Sequence, residues 1–385
     1  MSKQIKMCCI TTISTTTEIF VVEAMRQFVE KGYEVTLVCS MSQSFIDKYS
    51  DTFKCVNVPM QRGISILDAI KMPFFFMDLF KKEKYDYIQY ATPNASLYAS
   101  LGSWLARTPI RVYCQWGIRY VGSHGIIRIF LKLMERITCM FSTHIRPASQ
   151  KNLEFAVNEG LYKRDKADVI GNGGTIGVDL MKFDISRKEE YRKEIYKQFP
   201  KLKDKIVFVF VGRPNDHKGC RELVEAFVRI ANERKDVMLL MVCSSDDEMP
   251  VYIKKIEQRK DVVFSGFTRE VYKYLSVADV HVHPSYREGF SMVIQESMAM
   301  GLPVITTDIP GPSEVIEEGV TGILVKPQSV ESLYQGMKQM ISNPHNMKIM
   351  GLAGRRRCEK YFSRKRMLQL TFNDRFKILS DNGLR

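Results

Sequence analysis

Short apolar, β-branched runs alternate along this chain with longer amphipathic stretches. In the first half the runs are KMCCITT (6–12), EVTLVCS (34–40), KCVNVP (54–59), DYIQYAT (86–92), RVYCQW (111–116), HIRPAS (144–149) and ADVIGNG (167–173). Segments with helical character, such as 18–31 and 94–107, lie between them. This alternation predicts parallel sheets covered by helices on both faces. In TTTEIF, Thr15 and Glu18 have the spacing of a capping box at the start of the first helix.

The pattern restarts after a charged helical bridge, SRKEEYRKEIYKQFPKLKDK (186–205). IVFVFVG (206–212), VMLLMVC (237–243), VVFSG (262–266), ADVHVHPS (278–285), PVITT (303–307) and GILV (322–325) are the next strand candidates. From 330 onward the chain reads as helical. Two doubly wound α/β domains in tandem are therefore expected, joined near residue 185: 1–184 and 185–361. Ligands of such sheets bind beyond the carboxyl ends of the strands, here in a cleft between facing domains.

Composition narrows the class. A chain of 385 residues has room for two cores. No run reaches the ~18 apolar residues of a membrane-spanning helix. The opening MSKQIKMCCITT turns polar too soon for a signal peptide. Nine scattered cysteines without a C-x-x-C pair read as reduced thiols of a cytoplasmic protein. The net charge of +14 is uneven. Residues 101–150 hold seven Lys/Arg against one acid, and 351–385 hold ten against three. Such concentration points to an anionic partner: nucleic acid, an acidic membrane or phosphorylated substrates. The chain shows no helix-turn-helix or aromatic RNA-binding motif, which argues against nucleic acid.

Three segments of the second half should bring chemistry to strand ends. In FVGRPNDHKGCRELVEAF a strand stops at Gly212, Arg213 follows, and Lys218-Gly219 opens a helix. Two cations beside a helix start suit a diphosphate. In ADVHVHPS, His281 and His283 share one strand face; without a third ligand they read as packing or hydrogen-bonding groups rather than a metal pair. In HPSYREGFSMVIQESMAMG, a loop of Glu288, Gly289, Phe290 and Ser291 precedes a helix from about Ser291 to Met300, which carries Glu296. Glycine admits a ligand close to the backbone, and free N–H groups at a helix start donate to oxygens. A carboxylate accepts two hydroxyl hydrogen bonds, the geometry of a vicinal diol. Two carboxylates thus match two sugars of one nucleotide sugar.

At this point VGRPNDHKG, HPSYREGFSMVIQESMAMGLPVITTD and GVTGILVKP resemble the donor-binding half of family 4 glycosyltransferases, of the GT-B fold. VIGNGGTIGVDLMKFD (169–184) is similar to the family's junction before the interdomain linker. The overall likeness is to bacterial capsular or exopolysaccharide transferases that extend polyprenyl-linked saccharides. The resemblance implies that Arg213 and Lys218 hold the donor diphosphate and that Glu296 binds the ribose hydroxyls. It gives Glu288 the transferred sugar, beside the backbone of Gly289, Phe290 and Ser291. It also implies retention of configuration, no metal or other cofactor, a UDP-sugar donor, a polyprenyl-diphosphate-linked or saccharide acceptor, and a C-terminal helix (362–385) crossing back to the first domain. SSDDEM (244–249) is only a weak acidic cluster beside the D-x-D of metal-dependent enzymes. A nucleotide-sugar epimerase of the same fold is the alternative.

The chain departs from the family in two places. TTISTTTEIF lacks the glycines that many members carry after the first strand, and YCQWGIRY puts Trp116 where many have histidine. Trp116, Arg119 and His124 are the acceptor-side candidates. GNGGTIG mimics a dinucleotide fingerprint, but Gly177 comes one residue late and no helix follows. The two basic stretches, with the amphipathic segment 125–137, are expected to dock on anionic lipid at the inner face of the cell membrane; the aromatic segment 70–82 could join them, but core packing is the preferred reading for it.

Overall fold

Six of the apolar runs in the first half become strands: β1 (Lys6–Ile13), β2 (Glu34–Ser40), β3 (Lys54–Asn57), β4 (Tyr87–Ala91), β5 (Ile110–Gln115) and β6 (His144–Pro147). All pair in parallel, in the order β3-β2-β1-β4-β5-β6. The computed structural model describes residues 4–61, 63, 65–243 and 249–384. It divides the chain into two units: Met1–Ile176 with Arg366–Arg385, and Gly177–Lys365.

Alternate strand residues point to opposite faces, so each strand feeds two cores. Met7 and Cys9 of β1 enter the core covered by α1 (Ser14–Thr17), α2 (Glu23–Val29) and α3 (Gln43–Tyr49). Cys8 and Ile10 enter the other, under α4 (Ile66–Glu83), α5 (Pro93–Leu105), α6 (Gly125–Phe141) and α7 (Gln150–Asn158). A π turn, Glu18–Val22, joins α1 to α2. The expected capping box does not form. The helix begins at Ser14, with Ile13 at the cap position and no side-chain cap, so Thr15 lies inside the first turn. Glu18 instead accepts from Lys48 (2.7 Å) and Tyr49 (2.9 Å) of α3.

ADVIGNG is not a strand. It makes one bridge, Ala167 to Ile145 of β6, and then turns. The reason is its glycines: Gly171, Gly173 and Gly174 all take positive φ. At Gly171 φ is 57°, a conformation that favours glycine, and the loop lies there against Leu370 of the C-terminal helix.

The second unit opens with α8 (Lys188–Gln198). It continues through β7 (Ile206–Val211), α9 (Cys220–Glu233), β8 (Val237–Val242), α10 (Val251–Lys254), β9 (Val262–Phe264), α11 (Val271–Ser276) and β10 (Val280–His283). Then follow α12 (Met292–Ala299), β11 (Val304–Thr307), α13 (Pro312–Val315), β12 (Gly322–Val325), α14 (Val330–Ser342) and α15 (Pro344–Tyr361). Its parallel sheet runs β12-β11-β10-β7-β8-β9, the same topology as the first counted from β7. Central β7 is buried almost throughout, as its unbroken apolar run requires.

The last helix, α16 (Arg364–Asp381), belongs from Arg366 onward to the first unit. Ile378 and Leu379 join the core beneath β1 and β2. Buried Arg375 donates to Gln89 Oε1 of β4 (2.8 Å) and pairs with Asp374, which also holds Arg146 of β6 (2.8 Å). A buried guanidinium is tolerable only with its donors met in this way.

Candidate functional site

The turn after β7 is where the second unit concentrates charge. Asn215 Oδ1 accepts the N–H of Lys218 (3.1 Å), shaping a single helical turn, Asp216–Lys218. Gly219 follows with φ of 67° and starts α9. A Cβ there would lie 2.0 Å from the carbonyl oxygen of Pro284, which no side chain can accept. The absence of a side chain therefore lets the turn seat against the end of β10. Backbone and hydroxyl bonds complete the seam: Tyr286 N–H donates to His217 O (2.9 Å), and Ser285 Oγ to the same carbonyl (3.1 Å).

This seam brings Lys218 to Glu288. The two form an ion pair, and His283 Nε2 stands 3.1 Å from the same carboxylate oxygen. Ser291 caps α12 by accepting from Ile294 N–H, and its hydroxyl is 3.4 Å from His283 Nε2. His283 is buried and its Nδ1 has no partner, so the Nε2–H tautomer donating to Glu288 fits the site. Burial depresses the basicity of His283, although Glu288 opposes the shift. Burial alone would raise the Glu288 carboxyl; Lys218 and His283 outweigh it and bring it to about 2. Glu288 is thus a fixed anion at any physiological pH.

Glu296 has a different environment. It lies on α12, half-buried, and its carboxylate has no hydrogen bond among the described residues. Burial raises its carboxyl to about 7, while the more distant charges of Lys182 and Arg364 pull the other way. Arg213 stands exposed two residues beyond β7, with no ion pair among the described residues. Gly289 and Phe290 are buried, and the Phe290 ring packs edge-on against Phe362 at 5.4 Å. That contact turns its side chain into the core and leaves its backbone to face the loop.

The sequence therefore located the loop and its charges, and His283 takes the hydrogen-bonding role expected of it, with Glu288 as its partner. Two features escaped it: Asn215 shapes the lysine turn, and Lys182 and Arg364 come to Glu296 from distant positions that nothing local marked. Residues 244–248 of SSDDEM lie outside the described residues. A cavity of about 460 Å³ in this unit, lined by Lys201, Lys205 and Lys260 among others, sits at the opposite, N-terminal ends of β7 and β8.

The acceptor-side candidates all belong to the first unit. Trp116 packs on Phe20 (ring centroids 5.0 Å apart) beside the α2 core. Arg119 donates to Asn94 Oδ1 (3.3 Å), and His124 is exposed at the cap position of α6 without a capping bond. The end of β1 carries buried hydroxyls where the turn after β7 carries charges: Thr11 Oγ1 bonds Thr17 Oγ1 of α1 (2.6 Å), and Thr12 Oγ1 bonds Thr92 Oγ1 (2.7 Å).

Two family models match the chain: glycosyl transferases group 1 over residues 191–357, and glycosyl transferase 4-like over residues 9–147. The chain belongs to the family 4-like glycosyltransferases. The capsular polysaccharide biosynthesis glycosyltransferase CapM of Staphylococcus aureus is 28% identical over 341 residues, 87% of each chain. The UDP-Gal:alpha-D-GlcNAc-diphosphoundecaprenol alpha-1,3-galactosyltransferase of Escherichia coli is 24% identical over 79% of each. Among solved structures, Anabaena HepE in complex with UDP-glucose superposes with a TM-score of 0.77 at 17% identity, covering 97% of this glycosyltransferase and 100% of that chain. The last likeness is one of fold: GT-B.

Proposed function

We propose that this glycosyltransferase is a retaining, metal-independent enzyme of surface polysaccharide synthesis. It moves a sugar from a UDP-sugar to a polyprenyl-diphosphate-linked or saccharide hydroxyl at the cytoplasmic face of an anionic membrane. The observation that carries this reading is the Lys218–Glu288–His283 cluster, an anion beside a cation at the carboxyl ends of β7 and β10. On donor binding, Lys218 and Arg213 take the diphosphate, and Glu288, held by His283, accepts sugar hydroxyls. Glu296 accepts the ribose hydroxyls as its carboxylate forms.

Each cation–phosphate contact contributes up to ~4 kcal/mol before desolvation, at an effective dielectric near 20 and ~4 Å. The contacts are catalytic to the extent that they strengthen as charge develops on the departing diphosphate. In that step the bond from C1 to the phosphate oxygen breaks and a bond from C1 to the acceptor oxygen forms. The acceptor's proton leaves with the diphosphate. Arg213 and Lys218 supply the counter-charge, so the step needs no metal. Two relatives' names support the finer assignment: the one just cited uses UDP-Gal, whose sugar is α-linked, and makes an alpha-1,3 product. A Campylobacter jejuni relative also names a diphospho-undecaprenol acceptor.

The test is slow hydrolysis across a panel of nucleotide sugars, with the product anomer read by NMR. UDP-sugars should be cleaved first, with an α product. Lys218→Ala and Glu288→Ala should lose turnover with unchanged far-UV circular dichroism. Wild-type rates in both would remove the site assignment, and an epimerised nucleotide sugar would replace the transferase reading.

A further inference from the structure

The Lys218 turn and the Glu288 loop lie seventy residues apart in the chain, and more than their ion pair joins them. Tyr286, two residues before Glu288, reaches across the turn in two directions. Its N–H donates to the carbonyl of His217 (2.9 Å), two residues before Gly219. Its hydroxyl donates to Glu222 Oε1, three residues after that glycine. Tyr286 therefore straddles the position whose missing side chain lets the end of β10 seat against the turn.

Glu222 stands in the first turn of α9. A carboxylate there is favourable in itself, because free N–H groups and the helix dipole face it. On an exposed face it would need nothing more. Here Glu222 is buried, 8% exposed, and its Oε2 has no partner among the described residues. A buried carboxylate is costly unless it is bonded. The Tyr286 hydroxyl supplies the one hydrogen bond of this carboxylate among the described residues. Burial, with the Glu222 carboxylate beside it, raises that hydroxyl above its ordinary range, so it stays a donor at physiological pH.

We propose that Tyr286 and Glu222 are positioning residues, a clasp that fixes the spacing between Lys218 and Glu288 for sugar transfer. The proposal rests on the donor-site reading above, in which Lys218 holds the diphosphate and Glu288 the sugar. These two groups then grip opposite sides of the bond that breaks. Their ion pair cannot set the spacing at that stage, because both charges have turned to the donor. The clasp uses neither charge and persists when the donor enters. A misplacement of about 1 Å in such a setting costs up to about 10²-fold in rate.

A neighbouring bond provides the contrast. Tyr252 of α10 donates to Asp216 Oδ1 (2.7 Å), with the Arg221 guanidinium over its ring (5.0 Å). It holds the same turn by the same chemistry, but ties it to α10 rather than to the Glu288 loop.

Two measurements on each variant test the proposal: kcat for hydrolysis of the UDP-sugar that the wild type cleaves fastest, and calorimetric affinity for UDP. Tyr286→Phe and Glu222→Leu should each lower kcat about tenfold or more, with UDP affinity within about twofold of wild type. Glu222→Gln keeps an acceptor and should hold kcat within about threefold. The double variant Tyr286→Phe/Glu222→Leu should be no slower than the slower single one, because the same bond is lost in each. It also removes the orphaned carboxylate, so it reports on the clasp even if Tyr286→Phe alone does not fold. Tyr252→Phe should keep wild-type kcat. Wild-type kcat in the double variant, losses that multiply between the single variants, or UDP affinity that falls in step with kcat would overturn the clasp. Lys218→Ala, measured alongside, separates the two readings. Wild-type turnover there would remove the donor site and the clasp with it, whereas its loss beside a fully active double variant would remove the clasp alone.

Discussion

The turns after β1 and after β7 occupy the same position in two sheets of the same topology, yet they are built from different chemistry. At the end of β1, Thr11 bonds Thr17 of α1 and Thr12 bonds Thr92, and Ser14–Thr17 holds no cation and no glycine. After β7 come Arg213, Lys218 and Gly219, stitched to the end of β10, where Glu288 and His283 wait. Topology supplies the place for a ligand, and side chains decide which ligand it is. The charged turn suits a diphosphate, whereas the threonine hydroxyls at the end of β1 are buried and bonded within the fold.

The largest effect that sharpens this contrast is on turnover. Lys218→Ala should lower kcat/KM for transfer by about 10²–10³-fold, the loss typical of a donor aimed at developing charge. Removing the ammonium should also let the Glu288 carboxyl climb from about 2. In the wild type that depressed value adds stability above the ordinary 4.5, which is lost as pH falls toward 2. The variant's acid unfolding should therefore begin at higher pH.

Stability gives the next contrast. Gly219→Ala forces a Cβ onto the Pro284 carbonyl at positive φ and should cost about 3 kcal/mol in urea unfolding. Gly32→Ala in the first unit has φ of 85° with nothing within 4 Å, and should cost about 1 kcal/mol. Equal losses would mean that the seam between the β7 turn and β10 is not tight.

A smaller effect is one of pH. The Glu296 carboxyl is raised from 4.5 to about 7. Between those values the folded chain keeps a proton that the unfolded chain has released, so stability falls as pH rises through the window. Glu296→Gln should flatten that fall. In the wild type, nucleotide affinity should rise as pH passes 7 and the carboxylate becomes available to ribose hydroxyls; the variant should lack the rise. Smallest of all, Thr17→Val removes the bond to Thr11 and should cost about 1 kcal/mol, leaving hydrolysis within about twofold of wild type.

The strands were legible because their apolar runs are long and clean; β2 and β12 fall on the very residues their patterns mark. ADVIGNG misled because its apolar start resembles a strand while its glycines demand positive φ. Thr15 and Glu18 misled because a cap motif says nothing about where the preceding strand stops. In the site, Lys218 and Glu288 were legible from a shared strand-end logic, although seventy residues separate them. Lys182 and Arg364 were not, because only tertiary folding brings them near Glu296.

Calorimetric titration with UDP tests the central claim most directly, using wild type, Lys218→Ala and Lys260→Ala, the last from the basic cavity at the opposite strand ends. The diphosphate should bind wild type and Lys260→Ala alike, and Lys218→Ala at least about tenfold more weakly. Unchanged affinity in Lys218→Ala, with weakened binding in Lys260→Ala, would place the nucleotide at the other end of the sheet and contradict the account.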